Sequence, residues 1–143
     1  MKRSIFVLAA ILVLSAILLS ACGGSGGTES SSLPEPPASY ASMTNPVAGQ
    51  ASASDAGKVV FETNCASCHG TTGAGDGPAG AALDPKPANL DAIMGTASDG
   101  YLMWRISDGG GMAPFNSSMP AWKGILSEDD IWNVITYMQM NFK

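Results

Sequence analysis

The pentapeptide Cys65-Ala66-Ser67-Cys68-His69 constrains this chain more than any other stretch. Two thiols separated by two residues, with a histidine directly after the second, form the signature of covalent haem attachment. Each thiol can add to one haem vinyl group, and the adjacent imidazole is then held beneath the iron as its proximal ligand. Two other uses of paired cysteines fit less well. A zinc site needs four ligands, yet His69 is the sole histidine and the third cysteine, Cys22, has a separate use described below. A thioredoxin-like dithiol belongs to a βαβ context, and the flanking sequence has no such pattern.

The charge balance bears on partners. Seven basic residues stand against twelve acidic ones, a formal net charge of −5. Lys2 and Arg3 lie in a segment expected to be removed; without them five basic residues remain and the net charge is −7. Nucleic acid is excluded as a partner, because phosphate binding needs clustered Lys and Arg. An acidic surface is soluble in its own right and is also compatible with a basic-faced protein partner. A chain of 143 residues, 45% of them hydrophobic, has room for one modest domain plus appendages.

Residues 1–54 read as those appendages. Met1-Lys2-Arg3 precedes an apolar run from Ile5 to Leu19, the layout of a secretory signal peptide. The run is long for a signal core and short for a membrane span of about 20 residues. What ends it, Leu19-Ser20-Ala21-Cys22, resembles the lipobox of bacterial lipoproteins. In those proteins the cysteine becomes the N-terminus, its thiol carries a diacylglycerol and its amino group is acylated. Residues 1–21 are therefore expected to be a signal peptide and Cys22 the lipidation site, which accounts for an odd cysteine in an exported chain. An uncleaved signal anchor is the alternative, and it too leaves the domain outside the cytoplasmic membrane. Gly23 to Ser54 is dominated by Gly, Ser, Pro, Thr and Ala, a composition that cannot bury enough apolar surface to offset its ordering entropy. Residues 22–54 are accordingly expected to form a lipidated cysteine and a flexible linker, with a root-mean-square reach of roughly 30 Å.

Residues 55–143 carry the haem signature and helical patterns throughout. Ser54 or Asp55 is a candidate N-cap for a helix that buries Ala56, Val59, Val60 and Thr63 and delivers Cys65 and Cys68 to its end. The Gly-rich stretch from Gly70 to Pro87, with Pro78, Pro85 and Pro87, predicts a tight loop in which backbone without Cβ can approach a flat ring. Asp99 to Ser107 reads as a short helix ending at Gly109-Gly110-Gly111. Within it Trp104 is expected to pack in the core or against the haem, and Arg105 to lie exposed or to bind a haem propionate through its guanidinium fork. The segment Met112 to Trp122 is irregular and holds two candidate thioether ligands, Met112 and Met119; only Met119 is followed by a proline, which keeps its backbone extended. Ser127-Glu128-Asp129-Asp130 is a capping box. It opens a helix to about Asn141 whose apolar face is Ile131, Val134, Ile135, Met138 and Phe142. No strand pattern occurs. The core of such a domain is marginal, and a covalent haem would supply its apolar centre.

With these residues in view, residues 55–143 resemble the class I c-type cytochromes, small monohaem electron carriers. The resemblance rests on Cys65-x-x-Cys68-His69, on Met119-Pro120-Ala121-Trp122 ahead of the last helix, and on Gly57 and Phe61, whose spacing matches the family's crossing of first and last helices. It implies an all-α fold of three main helices around one haem c, with His69 and Met119 as axial ligands and Tyr137, in Val134-Ile135-Thr136-Tyr137, lying over Gly57. In this family a proline carbonyl usually accepts a hydrogen bond from the proximal imidazole, a contact that fixes the ring. Gly77-Pro78 is the nearest match, and Pro85-Lys86-Pro87 is a rival.

Six-coordinate iron leaves no open position for a substrate, so the resemblance implies an electron carrier and not an enzyme. The expected role is electron transfer between respiratory or photosynthetic membrane complexes. It would be carried out by a lipid-anchored cytochrome at the outer face of the cytoplasmic membrane or in the periplasm. Redox proteins are the expected partners, and no small-molecule substrate is expected. Two alternatives stay open: a fixed cytochrome subunit of a quinol-oxidising complex or oxidase, and a haem enzyme or gas sensor with a vacant distal position.

Overall fold

The computed structural model describes residues 33–142. The expected signal peptide, the lipidation site Cys22 and the first part of the expected linker lie outside the described residues. Among the described residues six helices follow one another: α1 (Ala38–Ala41), α2 (Ala51–Asn64), α3 (Ala66–His69), α4 (Leu90–Met94), α5 (Asp99–Asp108) and α6 (Glu128–Asn141). Among the described residues there is no strand, only an isolated bridge between Lys123 and Leu126. The all-α class therefore holds, with α2, α5 and α6 as the three long helices. None of the described helices is long and apolar enough to cross a membrane.

The last helix forms as its sequence directs. Ser127 Oγ accepts from Asp130 N–H at 3.1 Å while Asp130 Oδ2 accepts from Ser127 N–H at 3.2 Å, a reciprocal capping box. Ile131, Val134, Ile135, Met138 and Phe142 are all buried, as their spacing predicts, and Trp132 joins them. On α5, Ser98 caps the N-terminus by accepting from Tyr101 N–H at 3.1 Å, and Gly109 at φ +72° ends the helix.

Helix α2 departs from expectation in start and in face. It begins at Ala51 with Gln50 as N-cap, one turn before Ser54. Ala51 and Ala53 favour helix, and Ser54 is turned inward, its Oγ accepting from Asn141 Nδ2 at 3.4 Å, so it does not cap. Ala56 and Thr63 are exposed, Val59 is 64% exposed and Val60 is half-buried; the inward face is Ala53, Gly57 and Phe61. The reason is steric. Gly57 lets α2 meet α6 so closely that a Cβ there would overlap the Asn133 carbonyl and stand 2.9 Å from Tyr137 Cβ. The expected placement of Tyr137 over Gly57 is thus observed. Phe61, fully buried, follows one turn on and packs its ring 5.5 Å from Tyr137 and 5.1 Å from Phe142.

The described part of the expected linker is a packed strap, and the compact unit starts at Leu33, not at residue 55. Leu33, Tyr40, Met43 and Val47 pack against the core. Buried Asn45 ties three elements together: its backbone N–H donates to Asp99 Oδ2 at 2.8 Å, and its Nδ2 donates to Thr136 Oγ1 at 2.8 Å. Tyr40 OH donates to Asp108 Oδ1 at 3.0 Å, and a Cβ at Gly100 would overlap the Tyr40 carbonyl. A few well-placed side chains hold the strap down, although its composition is that of a linker.

Candidate functional site: the cysteine–histidine turn and the methionine loop

The chain brings Cys65, Cys68 and His69 together within one helical turn. Cys65 is the C-cap of α2, its N–H bonded to the Phe61 carbonyl at 2.8 Å, so the buried aromatic contact of α2 fixes where the motif starts. The single turn α3 follows, with Cys68 N–H and His69 N–H both directed at the Cys65 carbonyl, at 3.1 and 2.9 Å. This spacing puts both thiols and the imidazole on neighbouring positions of one turn. Gly70 then reverses the chain at φ +78°.

The Gly-rich loop is clasped to the motif. Gly75, Gly77 and Ala79 donate their N–H groups to the carbonyls of His69, Cys68 and Ser67 at 2.8, 3.1 and 2.9 Å. A Cβ at Gly77 would overlap the Ser67 carbonyl, and one at Gly80 would stand 2.7 Å from that of Cys68. The glycines are therefore required by the approach of one backbone to another. Pro78, expected near the haem, sits exposed on this clasped loop.

His69 Nδ1 lies 3.1 Å from the carbonyl oxygen of Ala88, 19 residues on. Neither Pro78 nor Pro85 nor Pro87 supplies the acceptor; the carbonyl one residue past Pro87 does. With Nδ1 protonated and donating to Ala88, the Nε2 lone pair is left for a metal, and the ring is held in one orientation. Burial lowers the imidazole pKa, and the hydrogen bond to Ala88 opposes that. The neutral, ligating form is therefore favoured near pH 7.

The thiols do not look like a redox dithiol. Burial, and secondarily the neighbouring Cys68, push the Cys65 thiol up to about 11, whereas a reactive thiol has a depressed value. Both cysteines are free and half-buried. Among the described residues no group of three or more His, Cys, Asp or Glu is arranged to hold a metal ion. An imidazole pinned through Nδ1 beside two uncommitted thiols is a donor set that fits covalently bound haem.

The second half of the site is the loop that joins α5 to α6. Trp122 and Lys123 donate to the carbonyls of Ile106 and Ser107 at 3.1 and 3.0 Å, which brings the loop back alongside α5. Gly110 N–H donates to the Met119 carbonyl at 2.9 Å, and Ser117 N–H to the Gly110 carbonyl at 2.7 Å. Met119 is half-buried and packs against the core, whereas Met112 is 38% exposed at the outer end of the loop. Of the two candidate thioethers, Met119 is the one held inward. Trp104 is buried, with Phe115 edge-on at 5.4 Å. Arg105 is half-buried, not exposed: its Nη1 donates to the Gly109 carbonyl, and its Cζ lies 3.4 Å from the centre of the Phe115 ring. Burial lowers its pKa, with Tyr101 opposing.

Several contributors carry no signal in the sequence. Ala88 acts through a backbone carbonyl that any residue possesses. Phe115 had no assigned role until the fold set it against Arg105. The short helix α4 is signalled only by Asn89, whose Oδ1 accepts from Asp91 N–H at 2.9 Å.

The chain is similar to known proteins. A family model described as cytochrome c matches residues 54–141. Cytochrome c6 from Chlorolobion braunii is 34% identical over 82 residues, covering 57% of this chain and 83% of that protein.

Proposed function

This chain belongs to the cytochrome c family, and from that premise we propose that Cys65 and Cys68 attach its haem, that His69 and Met119 hold the iron, and that Cys22 anchors the carrier to a membrane. One covalently bound haem c and a role in electron transfer, without catalysis of a substrate reaction, come with the family. The reading as a haem enzyme with a vacant distal position is set aside on that ground. Haem iron supplies the chemistry of a single-electron carrier, cycling between ferric and ferrous states.

The observation that carries the ligand assignment is the contact between His69 Nδ1 and the Ala88 carbonyl, which orients the ring and leaves Nε2 available. The inward packing of Met119 supports it as the second axial ligand, and a thioether raises the potential relative to a second imidazole. Trp104, buried beside Phe115, and Pro78, on the loop clasped to the motif, are the proposed surroundings of the haem. Met119→Ala is expected to abolish the methionine-to-ferric-iron charge-transfer band. It should also lower the potential by at least about 60 mV, a tenfold change in the ferrous-to-ferric ratio for one electron. A potential and spectrum identical to the parent protein's would remove Met119 from the iron.

The lipid anchor rests on Leu19-Ser20-Ala21-Cys22. Several acyl chains give stable anchoring, since each buried methylene contributes about 0.8 kcal/mol. In the full chain, Cys22→Ser is expected to move haem-loaded protein from the detergent-dependent membrane fraction to the soluble one. Unchanged fractionation would sink the lipid assignment. The proposed setting is the outer face of the cytoplasmic membrane or the periplasm, with basic-faced redox proteins as donor and acceptor.

One observation favours the variant in which this protein is a fixed subunit of a larger complex. Because the compact unit begins at Leu33, only residues 23–32 separate the lipid from the domain. Treated as a coil, ten residues have a root-mean-square reach of roughly 17 Å, well short of the roughly 30 Å of the full stretch. That suits transfer to a neighbour held close by. Stoichiometric co-purification with other subunits in mild detergent distinguishes this arrangement from a free shuttle.

A further inference from the structure

We propose that Arg105 is a positioning residue: its guanidinium clamps the loop from Gly109 to Met119 and so governs how often Met119 leaves the iron. The inference rests on the Met119 ligation proposed above and adds the device that maintains it.

Phe115 and Met119 pack against the core, but the outer part of the loop is open. Gly109 and Gly110 give it no side chain, Gly111 has no neighbour within 4 Å of a Cβ position, and Met112, Ala113 and Pro114 are exposed. Its two cross-connections, Gly110 N–H to the Met119 carbonyl and Ser117 N–H to the Gly110 carbonyl, both run through Gly110. Arg105 acts on either side of that point. From α5 it donates to the Gly109 carbonyl on the outgoing limb and sits over the Phe115 ring on the returning limb. Its Nη2 stands 3.1 Å from the position a Gly110 Cβ would take, and Met119 Cβ 3.2 Å from the same point. One planar cation thus bridges both limbs beside the backbone of Met119. Trp104, 5.9 Å away, backs the stack from α5 itself.

A guanidinium does two things here that an ammonium cannot: it offers a fork to a carbonyl and a flat face to a ring. This separates the clamp from the propionate role. A propionate partner needs mainly a positive charge, which Arg105→Lys keeps. The clamp needs the plane, which Arg105→Lys loses.

The test uses haem-loaded full-length protein in the ferric state, with added imidazole as a competitor for the sixth position. Arg105→Lys and Phe115→Leu are each expected to raise the affinity for imidazole about tenfold, because the loop opens more often. Amide exchange at Gly110 and Ser117 should quicken by a similar factor, while Ile135 and Met138 in α6 exchange as before. Met119→Ala serves as the reference and should bind imidazole at least as tightly as either variant. If Met119→Ala gains no affinity, the ligation reading itself fails. If Met119→Ala gains affinity but both other variants behave as the parent, the clamp alone is wrong. Full retention of parent behaviour in Arg105→Lys, with loss in Arg105→Gln, would assign the residue to charge and overturn the clamp.

Discussion

Replacing Cys65 and Cys68 together with serine is expected to abolish covalent haem attachment and to leave a chain that does not reach a stable fold. In the proposed attachment both thioethers come from these side chains, and no other cysteine among the described residues can substitute. The consequence for the fold follows from size. A domain of this length has a marginal core, and a group bound only by the folded state contributes its binding free energy to folding. The polypeptide's contribution is preorganisation: Cys65 is fixed by its bond to Phe61, and the turn to His69 is clasped by Gly75, Gly77 and Ala79. Haem that survives denaturing electrophoresis, followed by its peroxidase activity, should be absent from the double variant. Helical circular dichroism of the same sample should melt at much lower temperature or be lost. Each single variant keeps one thioether and should retain haem in reduced yield. Haem still covalently bound to the double variant would end the assignment of the motif.

How much of this was legible in the sequence varies with the range of the interaction involved. The turn from Cys65 to His69 and the box from Ser127 to Asp130 are local, and both are present as read. The apolar face of α6 is also as read, because five large apolar residues at helical spacing leave one way to bury them. Helix α2 misled because its inward face is made of small residues. Val59 and Val60 looked like core, yet Gly57 sets the face through a contact with Asn133, 76 positions away in the chain. Periodicity weighs size and hydropathy and has no weight for the absence of a side chain. The acceptor for His69 is Ala88 and no proline, since a carbonyl is common to all residues and only chain path selects it. The strap was read as a tether because its composition is polar and small. Asn45 is the residue that reverses this, and its three partners lie on a strap, a helix start and a helix interior that sequence does not bring together.

The Gly57 contact carries the second large effect. Gly57→Ala is expected to destabilise the haem-loaded protein by about 2–3 kcal/mol, the range for overpacking a close contact. Two effects oppose each other. Alanine in a helix interior is favoured over glycine by about 1 kcal/mol. Against this, the new methyl would overlap the Asn133 carbonyl, a backbone atom of α6 that cannot rotate away, and crowd Tyr137. The clash wins because relief requires α2 and α6 to separate, which would loosen Phe61 from Tyr137 and Phe142. For a unit of this size the loss corresponds to a fall of roughly 10–20 °C in the melting midpoint. Gly95→Ala is the matched control. Gly95 caps α4 with ordinary helical backbone at φ −71° and has nothing within 4 Å of its Cβ position, so its midpoint should stay within a few degrees of the parent's. Because α2 ends at Cys65, the damage should also reach the site: Gly57→Ala should lower the yield of covalent haem, and Gly95→Ala should not. Equal midpoints in the two variants would mean that the close crossing of α2 and α6 does not set the geometry that delivers the cysteine–histidine turn.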